Sequence, residues 1–239
     1  MSLTLIKRAL RAHASASREK TFAWFFKTNV GEYGHGDRFI GVTNPQCQLV
    51  AREFQDLPFS DIASLLASPI HEERGTALRI LVRQFETGDD AQKTHVYRFY
   101  LAHLAGVNNW DLVDVSAYKI VGAYLVDHPK EASVLEHYAK SSNLWERRIS
   151  IVATLAFIRK NTLDWTLHIS KILLPDTHDL THKAVGWMLR EGWKRRPEPV
   201  EAFLIQHYAQ IPRTTLRYAI ERMDEPKRQR FLTGSICSS

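Results

Sequence analysis

The sequence predicts an all-α protein, a solenoid of helix pairs, and three observations carry that expectation. From about residue 58 onward apolar residues recur at helical spacing, in segments separated by two to five residues that hold Pro, Gly, Asn, Asp or Ser. Trp110, Trp145, Asp179 and Arg213 stand near the starts of every second segment, at steps of 35, 34 and 34 residues. A helix-pair period of that size marks an α-solenoid, whose helices bury a stripe against neighbouring repeats and leave a concave face built from every second helix. Strand signals are weak. The apolar, β-branched run 149–158 continues from LWERR into RKN without turn residues, so it reads as a central, mostly buried helix. The repeats diverge in sequence, and an irregular all-α globule is the other arrangement such a pattern allows.

Taken in order, residues 3–27 show apolar or small residues at helical spacing and end in the aromatic cluster Phe22, Trp24, Phe25, Phe26. The stretch VGEYGHGDRFIGVTNP that follows holds four of the eleven glycines within eleven residues and reads as a loop. Pro45 is placed to open the next helix, PQCQLVAREF. Helices are then expected at 58–67, 71–87, 90–104, 109–126, 130–140, 144–160, 162–174, 178–194, 197–209 and 212–223. Residues 1–234 read as a single repeat domain, with 235–239 a frayed tail.

A chain of 239 residues, 44% of them hydrophobic, can bury a substantial core. Cys47 and Cys237 lie far apart and lack metal-ligand spacing, which suits a reducing compartment without a disulfide framework. The first twenty residues have no sustained apolar stretch, and no run approaches the roughly 18 apolar residues of a membrane span. A soluble, cytoplasmic protein with no membrane contact is expected. Net charge is +6, unevenly spread: +4 over 1–38, −3 over 39–182 and +5 over 183–230. Positive ends around a less charged middle suit a polyanion that touches both ends, although solvated helix faces give the same count.

The candidate chemistry lies in 109–190. Trp110 and Asp114 are four apart and share one helix face one turn from each other, behind a cap at Asn108 or Asn109. Val113, Val115, Ile120 and Val121 around Asp114 suggest a largely buried helix, where a carboxylate needs a partner or a task. Arg148, at the equivalent place in the next repeat, is a candidate partner that would keep Asp114 ionised. A purely structural Asp–Arg pair between repeats fits the same pattern. In HDLTHKAVGWMLRE, His178 and His182 are spaced i, i+4, but Asp179 replaces the glutamate of a zinc-protease helix and no third ligand is evident, so no metal is expected. His178 and Asp179 read instead as a helix start, with His182 and Lys183 as polar contacts and Trp187 with Arg190 projecting. Lys194, Arg195 and Arg196 continue as a basic run suited to phosphate. PRTTLRYAIER adds Arg213 and Arg217 near a helix start opened by Pro212. No glycine-rich phosphate cradle or G-x-S-x-G elbow is present, and no cofactor is expected.

FFKTNVGEYGHGDRFIGV, NNWDLVD, LWERRISIVATLAFIRK, HDLTHKAVGWMLRE and PRTTLRYAIER together resemble, in order and over nearly the whole chain, the AlkD-like DNA alkylation repair family of HEAT-repeat DNA glycosylases. The resemblance implies a right-handed α-solenoid of HEAT-like helix pairs with a concave basic face that holds double-stranded DNA. It implies hydrolysis of the N-glycosidic bond of cationic alkylated purines, 3-methyladenine and 7-methylguanine, in base excision repair by a monomer, nucleoid-associated when on DNA. The family's catalytic Asp maps onto Asp114, its Arg onto Arg148 with Arg147 adjacent, and its sugar-contacting tryptophans onto Trp110 and Trp187. Arg147, Lys183, Arg190, Lys194, Arg195, Arg213 and Arg217 would then contact DNA. Excision without flipping the base into a pocket is also implied, and no pocket motif stands out in the sequence. Where relatives read Pro-x-x-Arg after the glycine-rich loop, this chain has Gln48. A HEAT-like module that binds nucleic acid or protein without catalysis is the alternative.

Overall fold

The structure, a computed structural model, describes residues 2–237; its regular elements are all helices, with no strand among the described residues. The chain divides into two compact units, Met1–Ile120 and Val121–Ser239. The first holds α1 Leu3–Ala12, α2 Ala16–Phe25, α3 Asn44–Glu53, α4 Phe59–Leu66, α5 His71–Thr87, α6 Asp90–Ala102 and α7 Trp110–Ala117. Helix α5 is its axis: it touches α3, α4, α6 and α7, and Leu78, Ile80 and Leu81 on it are fully buried.

After a π-helical turn at Tyr118–Gly122, the second unit continues with α8 Ala123–Asp127, α9 Val134–Ala139, α10 Leu144–Ala153, α11 Leu155–Arg159, α12 Asp164–Leu173, α13 Asp179–Trp193, α14 Pro197–Gln206, α15 Arg213–Ala219 and α16 Glu225–Thr233. Trp145, Asp179 and Arg213 fall on the first or second residue of α10, α13 and α15, and α13 packs against both α10 and α15. With α10 and its continuation α11 counted as one segment, every second helix of this unit is neighbour to the next of its kind, as the 34-residue spacing requires of a solenoid. The run 149–158 is helical, divided between α10 and α11, with Ile149, Ile151 and Val152 fully buried. No helix among the described residues is long and apolar enough to cross a membrane.

The single helix expected over 3–27 is two helices. The Ser15 backbone N–H donates to Ile40 O at 2.9 Å instead of continuing the helical ladder, and Arg18 donates to His13 O at 2.9 Å and Gly41 O at 2.7 Å. The glycine-rich loop thus breaks the helix by taking its hydrogen bond. Gly41 has φ +74°, and a Cβ there would lie 2.9 Å from the Glu19 nitrogen and strike Ser15 O, so only glycine permits this approach. Beyond the last expected helix, α16 is capped by Asp224, whose side chain accepts from Lys227 N at 3.0 Å, and it buries Phe231. Of the tail expected at 235–239, Ser235–Cys237 form a 3₁₀ turn, and 238–239 lie outside the described residues.

Candidate active site

Helix α7 turns Leu112, Val113, Ser116 and Ala117 into the core. Trp110, Asp111, Asp114 and Val115 form the half-buried stripe beside them, so Trp110 and Asp114 share a face that solvent reaches. Asn109 is the cap: it is fully buried, its Oδ1 accepts from Trp110 N at 2.8 Å, and its Nδ2 donates to Asp37 Oδ2 at 3.0 Å. The Trp110 ring stacks on Phe26 at 5.5 Å and 19°, and meets Phe25 edge-on at 6.1 Å.

Behind this face lies a buried charge cluster that the sequence reading did not identify. His71 Nδ1 donates to Asp37 Oδ2 at 3.0 Å and its Nε2 donates to Asp111 Oδ2 at 2.9 Å. Two carboxylate partners require both ring nitrogens to carry hydrogen. Burial disfavours the imidazolium, but Asp111 and Asp37 outweigh it and push His71 up to about 9. Burial likewise opposes charge on Asp37, yet the bonds from His71, Arg74 and Asn109 hold its carboxyl below the usual carboxylate range. Arg74 Nη2 donates to Asp37 Oδ1 at 2.6 Å. Phe39 stacks on the His71 ring at 4.7 Å, with Phe26 at 4.8 Å. The next residue of α5, Glu72, takes the loop itself: its Oε1 accepts from Ile40 N at 3.1 Å, Gly41 N at 2.8 Å and Val42 N at 3.1 Å. The start of α7 is therefore locked to the glycine-rich loop and to α5 by ionic hydrogen bonds. The one available signal was HEER at the opening of 71–87, where consecutive charged or polar residues leave no apolar stripe.

Cys47 is buried nearby, and burial pushes its thiol up to about 11, so it stays protonated and is a poor nucleophile at neutral pH.

In the second unit, the two adjacent arginines of α10 have separate attachments. Arg147 Nε donates to Asp176 Oδ2 at 2.7 Å, and its Nη1 donates to Ser141 O at 3.0 Å and Ser142 O at 2.9 Å. Arg148 is buried, and its Nη1 donates to Leu180 O at 2.6 Å, on α13. Lys183, half-buried Trp187, Arg190 and Lys194 follow one another at helical spacing along one stripe of α13. Carboxylates hold these cations in place: Lys183 meets Asp179 at 2.7 Å, Lys194 meets Glu191 at 2.6 Å, and Arg190 is paired with Glu221. Arg195, Arg213 and Arg217 are exposed, and Arg213 Nη2 donates to Leu232 O at 3.2 Å. His178 caps α13, its Nδ1 accepting from Leu180 N at 3.1 Å, and His182 Nε2 donates to Asp176 O at 2.5 Å, so both histidines have structural partners. Trp110 and Asp114 thus belong to the first unit, Arg148, Trp187 and the basic stripe to the second.

The fold is a helical-repeat solenoid, with an aromatic and acidic helix edge in the first unit and a basic stripe in the second. The sequence matches the family of DNA alkylation repair enzymes over residues 6–223, and the chain belongs to that family. A solved structure described as a predicted DNA alkylation repair enzyme from Enterococcus faecalis superposes with a TM-score of 0.69 at 16% identity, covering 89% of this chain and 98% of that one. At that identity the likeness speaks for the fold. No curated protein matches the sequence.

Proposed function

We propose that the protein is a monofunctional DNA glycosylase that hydrolyses the N-glycosidic bond of cationic alkylated purines, 3-methyladenine and 7-methylguanine, in duplex DNA. The observation that carries this reading is the edge of α7, where a half-buried carboxylate, Asp114, stands one turn from an indole, Trp110, on a helix start fixed by Asn109, Asp37 and His71. A purine alkylated on a ring nitrogen is already positive, so it departs as a neutral molecule without a general acid. The C1′–N bond breaks with its electron pair going to the base, and positive charge develops on the deoxyribose. Asp114 stabilises that charge and positions the water whose oxygen bonds to C1′ and whose proton passes to solvent. Trp110 and Trp187 offer indole faces to the sugar, an attraction that grows as the oxocarbenium forms. Arg148 is the fixed cation of the set. Arg147, Lys183, Arg190, Lys194, Arg195, Arg213 and Arg217 supply phosphate contacts, the acidic partners of several being exchanged for DNA. No metal or cofactor enters the reaction, and the protein acts as a monomer in the cytoplasm.

The test is chromatographic detection of 3-methyladenine and 7-methylguanine released from methylated duplex DNA by the native protein and by Asp114→Asn. Release that falls at least about tenfold in the variant, roughly 1.4 kcal/mol of transition-state stabilisation, is the expected result. Salt-sensitive DNA binding with no release by the native protein overturns the glycosylase and leaves a binding module.

A further inference from the structure

The residues proposed to contact DNA lie in the second unit, whereas Asp114 lies in the first. A phosphate backbone brought against a carboxylate stays there only if cations stand close by. The first unit gathers four cations in one groove of about 290 Å³: Arg52 of α3, Arg79 and Arg83 of α5, and Lys119 of the π-helical turn that follows α7. All four come from the stretch 39–182, whose net charge is −3, so the summed charge conceals them. Val115, the neighbour of Asp114 on α7, also lines the groove, and Lys119 stands four residues further along. Along the helix axis this wall runs from beside Asp114 to about 8 Å beyond it, at about 1.5 Å per residue.

These cations differ from the stripe of α13 in what holds them. Lys183, Arg190 and Lys194 are each paired with a carboxylate, which a phosphate would have to displace. Arg79 donates to Gly75 O at 2.7 Å and to Asn44 Oδ1 at 2.8 Å, and Arg83 donates twice to Gln55 Oε1, at 3.0 and 2.7 Å. Those acceptors are neutral, so they aim the guanidiniums without cancelling their charge, and each keeps further N–H donors for a ligand. Glu86 is the one carboxylate that lines the groove, and among the described residues it pairs with none of the four. We propose that this groove seats backbone phosphates of duplex DNA and holds the strand that crosses the α7 edge at Asp114. Cations already aimed and not compensated take a phosphate with little reorganisation and no ion pair to break, so the groove grips more firmly than the α13 stripe. The proposal takes from the glycosylase reading only that the partner is duplex DNA.

The experiment is fluorescence anisotropy of the full chain with a labelled, undamaged DNA duplex over a series of salt concentrations, so no base release is involved. The first variant combines Arg52→Gln with Lys119→Gln, because neither side chain is buried or makes a hydrogen bond or ion pair among the described residues. The second combines Arg79→Gln with Arg83→Gln and is checked for folding by circular dichroism. Each is expected to weaken binding by at least about tenfold, more than Lys183→Ala does, and to lower the slope of log affinity against log salt by about two. An unchanged slope in the first variant, or a loss no larger than that of Lys183→Ala, overturns the proposal. Weaker binding by the second variant alone, at an unchanged slope, marks a structural tie between α3 and α5 and overturns it as well. Groove-dependent binding by a protein that releases no base from methylated DNA keeps the groove and removes the glycosylase. Base release by a protein whose affinity ignores the groove does the reverse.

Discussion

The two units keep their interiors polar in different ways. In the first, the buried polar groups include Asp37, His71, Glu72, Glu73 and Arg74, with Lys7 meeting Glu73 at 2.9 Å. In the second they are the hydroxyls of Ser150, Thr154, Thr166, Ser170, Thr181 and Thr215, and Arg148. The difference follows from what each has to hold. The first unit contains the long glycine-rich loop, whose backbone N–H groups have no ladder to join and converge on Glu72. The second is regular helix on helix, where small groups let backbones approach: a Cβ at Gly186 of α13 would lie 2.5 Å from Tyr218 Cβ and 2.6 Å from Thr215 O on α15. Ionic anchors serve where the backbone is irregular, and small residues serve where it is repetitive.

The largest expected effect tests the ionic half of that contrast. Glu72→Ala strands three loop N–H groups and leaves its buried neighbours unbalanced, and a loss of about 3–5 kcal/mol in urea unfolding is expected; a loss below about 1 kcal/mol would mean that the loop is held by its other contacts, the hydrogen bonds from Ser15 and Arg18 and the aromatic rings. Gly186→Ala tests the other half, with about 1–3 kcal/mol lost through overpacking between α13 and α15. Mapping by hydrogen exchange should confine that loss to the second unit.

A smaller and pH-dependent effect belongs to His71. Its pKa in the folded protein is raised to about 9, above that of a free imidazole, so its stabilisation is complete below the unfolded value and is lost as pH rises through about 9. Melting temperature should therefore fall over that alkaline window in the native protein and fall less in His71→Gln. The smallest effect is at the surface: Lys183→Ala removes an exposed pair with Asp179, about 0–1 kcal/mol of stability. It should nevertheless lower the slope of log affinity for DNA against log salt by about one, which an equal slope would contradict.

Where structure is set by neighbours in sequence, the sequence was readable. The bounds of α5 coincide with the expected 71–87, and the cap of α7 is one of the two asparagines named beforehand. What escaped is set by partners far along the chain. His71 finds Asp37 and Asp111 at separations of 34 and 40 residues, and no periodic pattern encodes a bond made by a loop. The division of 3–27 into two helices has the same origin, since the deciding acceptor is Ile40 O. Arg147 and Arg148 were indistinguishable in sequence because the acceptors that separate them, Asp176 and Leu180, lie about thirty residues on. Trp110 and Asp114 were singled out by spacing, whereas an aromatic cleft beside Trp110 is assembled from α2, the loop and α5, and had no local signature.

A helix that buries no side chain is secured at its ends and by ring contacts, with no apolar face to hold its middle. Opening α2 exposes little that was dry, so it costs far less than unfolding the rest. In deuterated solvent its amides should exchange ahead of those of α5, and a protease should cut first there, leaving the remainder folded. The rate of that first cut then gauges how firmly the ring contacts of Phe22 with Phe39 and of Phe25 with Trp110 hold the helix down.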